Sequence, residues 1–143
     1  ILLLHDPEAG CVGAVHAGWR GCAAGIVEKT VREMVRLLGA RPERILAALG
    51  PCIGKCCFET DSDVPEAMRA SALGAEAEPY LERRGEKWHV DLAGLNRQWL
   101  LRAGVAPDHI DVCGLCTACR PDLFWSHRKM GEARGVQAAV ISL

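Results

Sequence analysis

No stretch of the 143 residues is apolar for the length a membrane-spanning helix requires, and none reads as a cleavable signal. A helical membrane anchor is thereby excluded for these residues, and a cytoplasmic protein is expected. An excess of either charge is also missing, since 17 lysines and arginines nearly balance 18 aspartates and glutamates. A nucleic-acid binder usually carries a basic excess or stripe, so that class falls away. There is no internal repeat and no linker, and one domain over residues 1–143 is expected. Finally, there is no initiating methionine and no polar lead-in. The chain opens on "ILLLHDPEAG", inside what reads as a buried strand. A strand of that kind needs neighbours on both sides, so the residues are expected to be the C-terminal portion of a longer chain.

What is present is a large apolar fraction, half of all residues, enough for one ordinary core. There are also eight cysteines. Disulfide scaffolds are short and core-poor, which this sequence is not, so reduced thiols in a reducing compartment are the better reading.

Residues 1–5 and about 11–16 read as strands of a hairpin around the turn "DPEAG". Val27, Val31, Met34, Val35 and Leu38 recur at helical spacing, with charged residues opposite and Gly39 as the stop. "ILAALG" at 45–50 is another buried strand. Ser62 or Asp63 caps a predicted helix over 64–73, and residues 74–87 read as a charged surface excursion. Asp91 caps a further helix carrying Leu92, Leu95, Trp99 and Leu100 on one face. Strands are predicted at 109–114 and 136–143, with an irregular or helical loop between them. Short strands and helices interleave without strict strand–helix alternation, which points to an α+β fold.

Three groups of residues carry chemistry. The first is "HAGWRG" at 16–21. A strand end holds His16 firmly, Gly18 and Gly21 permit turns a side chain would block, and Arg20 with nearby amides favours an anion. A satisfied histidine at a tight corner explains the same letters equally well. The second is the cysteines: Cys52, Cys56 and Cys57, then Cys113, Cys116 and Cys119 in C-x-x-C-x-x-C spacing. A structural zinc or iron–sulfur site is one reading. Against it, Cys113 ends an apolar strand, and adjacent Cys56 and Cys57 in a strand would face opposite ways. Small core hydrophobes are therefore the favoured reading for most of them. The third is "FWSHRK", in which Phe124 and Trp125 anchor in the core while Ser126, His127 and Arg128 face a cleft. Taken alone, it reads better as a polar loop over two buried aromatics.

The motifs "AVHAGWRG", "GPCIGKCCFE", "DLAGLNRQWLLRAGV", "CT" and "LFWSHRK" stand together in this order over nearly the whole sequence. The set resembles the YfiH-type family, formerly called polyphenol oxidases or laccase-domain proteins. Its members are regarded as purine nucleoside phosphorylases with adenosine deaminase activity. The resemblance implies a layered α/β/β/α sandwich with mixed sheets and an active-site zinc held by two histidines and one cysteine. His16 matches one of those histidines. The cysteine, in an "ADC-x-P" segment, and the other histidine would both precede Ile1. The sequence departs from the family pattern in two motifs: the usual "FSYRR" is Trp125-Ser126-His127-Arg128-Lys129 here, with His127 in place of the tyrosine, and the usual "GR" before the last strand is Gly135-Val136.

The resemblance implies phosphorolysis of adenosine, inosine or guanosine by inorganic phosphate, with adenosine deamination and methylthioadenosine phosphorolysis as side activities. His16 and Arg20 are the catalytic candidates, with His16 also the metal ligand. Gly18, Gly21, Cys52, His127 and Arg128 are candidates for binding substrate or phosphate. A copper-dependent polyphenol oxidase and a Cys–His hydrolase are the alternatives.

Overall fold

The computed structural model describes all residues, Ile1–Leu143. Its strands are β1 (Leu2–Asp6), β2 (Cys11–Val15), β3 (Leu46–Leu49), β4 (Glu59–Thr60), β5 (Leu81–Arg84), β6 (Lys87–Val90) and β7 (Ile110–Val112). Its helices are α1 (Trp19–Ala23), α2 (Ile26–Leu38), α3 (Asp63–Ala70), α4 (Leu92–Arg102) and α5 (His127–Met130), with short 3-10 turns between several of them. No helix is long and apolar enough to cross a membrane.

The first hairpin forms because Asp6 organises its own turn. Its Oδ1 accepts the amides of Glu8 and Ala9, both at 3.0 Å. That fixes the antiparallel register from Leu2↔Val15 to Asp6↔Cys11. Its Oδ2 accepts the Arg41 amide at 2.8 Å and the Arg44 guanidinium at 2.9 Å, so this buried carboxylate also ties down the segment entering β3. Burial pushes the Asp6 carboxyl up. The amides of Ala9 and Arg41, the Arg44 guanidinium and the Glu8 amide outweigh that and hold it at about 2.

β3 pairs antiparallel with the other side of β1, and β7 adds to β3 in parallel, giving the order β2-β1-β3-β7. Strand alternation turns Leu2, Leu4, Ala47 and Leu49 toward α2 and α4, where all four are buried. α2 exists as an amphipathic helix: Val27, Val31 and Met34 are buried while Arg32–Glu28 and Arg36–Glu33 pair outside. Gly39, at φ +70°, ends it. Asp91 Oδ1 accepts the Gly94 amide at 2.9 Å and caps α4. Gly25 makes the corner between α1 and α2 at φ +67°. A Cβ there would also sit 3.2 Å from the Trp99 ring, so it lets α4 close on that corner. A smaller sheet, β4-β6-β5, lies beyond, and one core of 24 buried residues runs through both sheets and the helices.

The architecture is the expected mixture of helices with two sheets, and it departs from the sequence reading in four places. On α2 the buried stripe stops at Met34, and Val35 and Leu38 are exposed. Residues 74–87 are not only a surface excursion: a 3-10 turn over 74–80 leads into the β5–β6 hairpin, with Ala77 and Leu81 buried. Residues 136–143 form no strand, and Val136, Val140 and Leu143 are largely exposed. Apolar alternation supplies β-propensity, but a strand exists only where an adjacent strand pairs with it. Trp125 does not anchor in the core; it faces outward, with its ring against Gly135.

Candidate functional site

β2, β3 and β7 all run opposite to β1, so their carboxyl ends emerge together at one end of the sheet. The register there is Val15–Leu2–Leu49–Val112. His16, Gly50 and Cys113 are the next residues out. Strand spacing of about 4.8 Å puts the exits of β2 and β3 roughly 10 Å apart. Loops beyond strand carboxyl ends are where open sheets commonly bind ligands. A cavity of about 380 Å³ lies here, lined by Gly50, Cys52, Lys55, Asp91, Arg97 and Leu115 among others.

Its polar groups differ in how far they are already engaged. Lys55 pairs with Glu82 at 2.8 Å, and hydrogen bonds from Arg84 and Lys55 hold the Glu82 carboxyl at about 2. Asp91 is committed through one oxygen to the α4 cap. Arg97 is half-buried, lines the cavity and makes no hydrogen bond or ion pair within the chain. Burial pushes the Cys52 thiol up, which keeps it protonated and is the opposite of an activated nucleophile.

The residues singled out from the sequence fall in three places. Cys52 lines the cavity. His16 is exposed at the end of β2, with its ring lying over Gly18: a Cβ on Gly18 would come 3.3 Å from His16 Nε2. Gly18 is extended and precedes α1. Gly21 lies inside it, where a Cβ would come 3.3 Å from Ile26. Arg20 is exposed, 4.2 Å above the ring of its neighbour Trp19. Buried Asn96 of α4 donates to the carbonyls of Leu92 (2.8 Å) and Ala17 (3.5 Å) and so steadies this turn. His127 and Arg128 open α5. Arg128 donates to the carbonyls of Cys57 (3.2 Å) and Glu59 (3.0 Å), and His127 Nδ1 accepts from Arg134 at 3.3 Å.

The sequence reading passed over Lys55, Asp91 as a cavity residue, and Arg97. A signal for Arg97 was available: Gly94 and Ala93 stand three and four residues before it on the same helix face, two small residues beside one cation.

The cysteines contradict the expectation most clearly. Cys11 and Cys22 are buried in the core. Cys56, Cys57, Cys116 and Cys119, however, bring their sulfurs to one place, all within 4.8 Å of one another. Residues 55–57 form a turn, not a strand: the amides of Cys57 and Phe58 both donate to the Gly54 carbonyl at 2.9 Å, so neighbouring thiols point the same way. Residues 116–120 form a second turn, with the amides of Cys119 (3.2 Å) and Arg120 (3.1 Å) on the Cys116 carbonyl. A bridge between Cys52 and Cys116, with the Thr117 amide on the Cys52 carbonyl at 2.9 Å, joins the two turns. Burial raises the Cys116 thiol. The amides of Gly54, Cys119 and Ala118 and the Cys56 side chain more than reverse this, leaving it at about 6 and favouring thiolate at neutral pH. Four such sulfurs are a set able to hold a metal ion.

The zinc centre implied by the family resemblance does not fit these residues alone. Of the ligands it implies only His16 lies in these residues, and no group of three histidine, cysteine or carboxylate donors in the chain includes it. The set that does converge is four thiols, which would fill a tetrahedral ion and leave no open position for chemistry.

Comparison with known proteins agrees with the fold. A purine nucleoside phosphorylase of Deinococcus radiodurans is 48% identical over 142 residues, covering 99% of this chain and 53% of its own length. The adenosine deaminase RL5 of an unknown prokaryotic organism is 37% identical over 134 residues, 94% of this chain and 51% of that protein. The crystal structure of the Bacillus licheniformis hypothetical protein YfiH superposes with a TM-score of 0.84 at 38% identity, covering 90% of this chain and 48% of that one. The chain thus spans about half the length of the relatives it matches. Residues 1–143 match, end to end, the family described as multi-copper polyphenol oxidoreductase laccase, and the chain belongs to that YfiH-type family.

Proposed function

We propose that the protein is a purine nucleoside phosphorylase, with adenosine deamination as a second activity. The observation that carries this is Arg97: a half-buried residue with no hydrogen-bond or ion-pair partner within the chain, on the wall of a cavity that also holds Lys55 and Asp91. An unengaged guanidinium suits a phosphate, which it can bind through two parallel hydrogen bonds. A cavity of about 380 Å³ is within the range of small-ligand pockets. The names of the relatives supply the nucleoside and the phosphate.

In this reading Arg97, helped by Lys55, holds inorganic phosphate. A phosphate oxygen forms a bond to the anomeric carbon of the ribose as the carbon–nitrogen glycosidic bond breaks. The bonding pair leaves on the purine, which takes up a proton. Binding and orientation are the contributions these residues make, because a fixed near-attack geometry removes much of the entropic barrier. His16 and Arg20 are proposed to complete the catalytic group from the exit of β2. Gly18, Gly21 and Cys52 are proposed to shape the binding surface, and His127 and Arg128 to border it. Residues 1–143 are proposed to act as one unit of a cytoplasmic enzyme, its eight unpaired thiols suiting a reducing compartment.

The test is turnover of adenosine and inosine by the full-length protein with and without phosphate, following free base and ribose 1-phosphate. Phosphate-dependent release of base is expected. Arg97→Ala should raise KM for phosphate about tenfold or more while moving KM for the nucleoside much less. Absence of base release, or oxygen consumption with a phenol and copper in its place, would sink the proposal.

A further inference from the structure

We propose that Cys56, Cys57, Cys116 and Cys119 bind one zinc ion in a closed, four-thiolate site that clamps the 50–58 loop to the 113–120 loop. This site is separate from any metal centre involving His16 and does not depend on which reaction the protein performs.

The geometry is the first argument. A tetrahedral ion with zinc–sulfur bonds of about 2.3 Å holds its sulfurs roughly 3.8 Å apart. Here Cys56 and Cys57 lie 3.5 and 3.4 Å from Cys119, and all four sulfurs fall within 4.8 Å of one another. A four-iron cluster has a larger core and would hold its cysteines further apart. Four soft thiolates in a tetrahedron select zinc over harder divalent ions.

The surroundings are the second argument. Both pairs of sulfurs sit on tight turns, and Cys116-x-x-Cys119 has the spacing that turns two thiols toward one point. The Gly54 amide donates to Cys116 Sγ at 3.2 Å, the kind of backbone contact that orients a ligand and tempers its charge. Gly54 also lets the backbone pass close to the sulfurs: a Cβ there would come 3.1 Å from Cys116 Cβ and 3.3 Å from Cys56 Sγ, a tight fit that would push on both ligands. Arg128, bonded to the Cys57 carbonyl, places a cation beside a site that would carry two net negative charges when filled. The four thiols are half-buried or exposed, so they are not packed as core residues are.

The position gives the site its purpose. Gly50, Cys52 and Lys55 come from one clamped loop and Gly114 and Leu115 from the other, and all five line the cavity. The ion would therefore fix the distance between two cavity walls without touching what binds between them.

The experiment uses the full-length protein purified without chelator. Metal analysis should find one zinc per chain that is lost in Cys119→Ser and in Cys57→Ser but kept in His16→Ala and in Cys113→Ser, whose thiol lies outside the cluster. Cobalt exchanged into the protein should give an intense thiolate-to-metal charge-transfer band that disappears in Cys119→Ser. Should the serine variants fail to fold, alkylation of the unaltered protein decides. Cys113 should react at once, while the four cluster thiols should react only after chelation. The proposal is overturned if the four alkylate as fast as Cys113, if they are joined as disulfides, if Cys119→Ser retains all its zinc, or if the site holds iron or copper.

Discussion

The two faces of the four-stranded sheet are built from the same strands and have opposite fates. On one face Leu2, Leu4, Asp6, Ala47 and Leu49 are buried under α2 and α4. On the other Leu3 and His5 are half-exposed and Leu46 and Ala48 exposed. In "LLLHD" the letters on the two faces of β1 hardly differ, so it is the covering layer, not the residue type, that decides what a leucine contributes. The lesson is that stability in these strands sits on alternate residues and cannot be assigned from hydrophobicity alone.

The sharpest way to break this comparison is to truncate one leucine on each face. Leu4→Ala should cost about 3 kcal/mol by denaturant unfolding, the transfer and cavity terms together. Leu46→Ala should change it by less than about 0.5 kcal/mol. Equal losses would mean that the second face is covered in the protein by something else. Acid should also separate the faces. The Asp6 carboxyl sits at about 2 when folded, below its ordinary value of about 3.9. A depressed pKa of this kind adds stability above pH 4 that is lost as pH falls through 2. The melting temperature should fall across that window, and Asp6→Asn should flatten the dependence there. A smaller effect is expected from the α4 cap. Asp91→Ala should cost about 1 kcal/mol through the lost hydrogen bond to the Gly94 amide. If its loss in catalysis is far greater than that, Asp91 also acts inside the cavity.

Much of the buried face was legible. The spacing of Val27, Val31 and Met34, the cap at Asp91 with Leu92, Leu95 and Trp99, and the hairpin around "DPEAG" each combine a local signal with a matching period. The β5–β6 hairpin was not legible, because Glu82, Arg83, Arg84 and Lys87 leave little apolar alternation and its pairing is fixed by the turn at Gly85. The segment 136–143 misled in the other direction, since its alternation carries no information about whether a partner strand is present.

The candidate site was half legible. His16 and Cys52 could be found as residues at strand ends, but Lys55 and Arg97 reach the cavity only through the way the loop and α4 are placed. The thiol cluster was hidden by one local assumption, that Cys56 and Cys57 lie in a strand. A turn over 55–57 reverses the conclusion, because it points both thiols to one side.

The parallel pairing of β3 with β7 has a consequence for how the protein is made. β1, β2 and β3 can assemble as soon as Leu49 has left the ribosome, but their next neighbour is Ile110–Val112. Everything from Gly50 to His109 must be synthesised before that edge is closed. During that interval a nascent three-stranded sheet presents an open row of amides and carbonyls, with Leu46 exposed beside it. Translation speed through this stretch, and chaperones that shield such an edge, should therefore govern how much of the chain reaches its folded form.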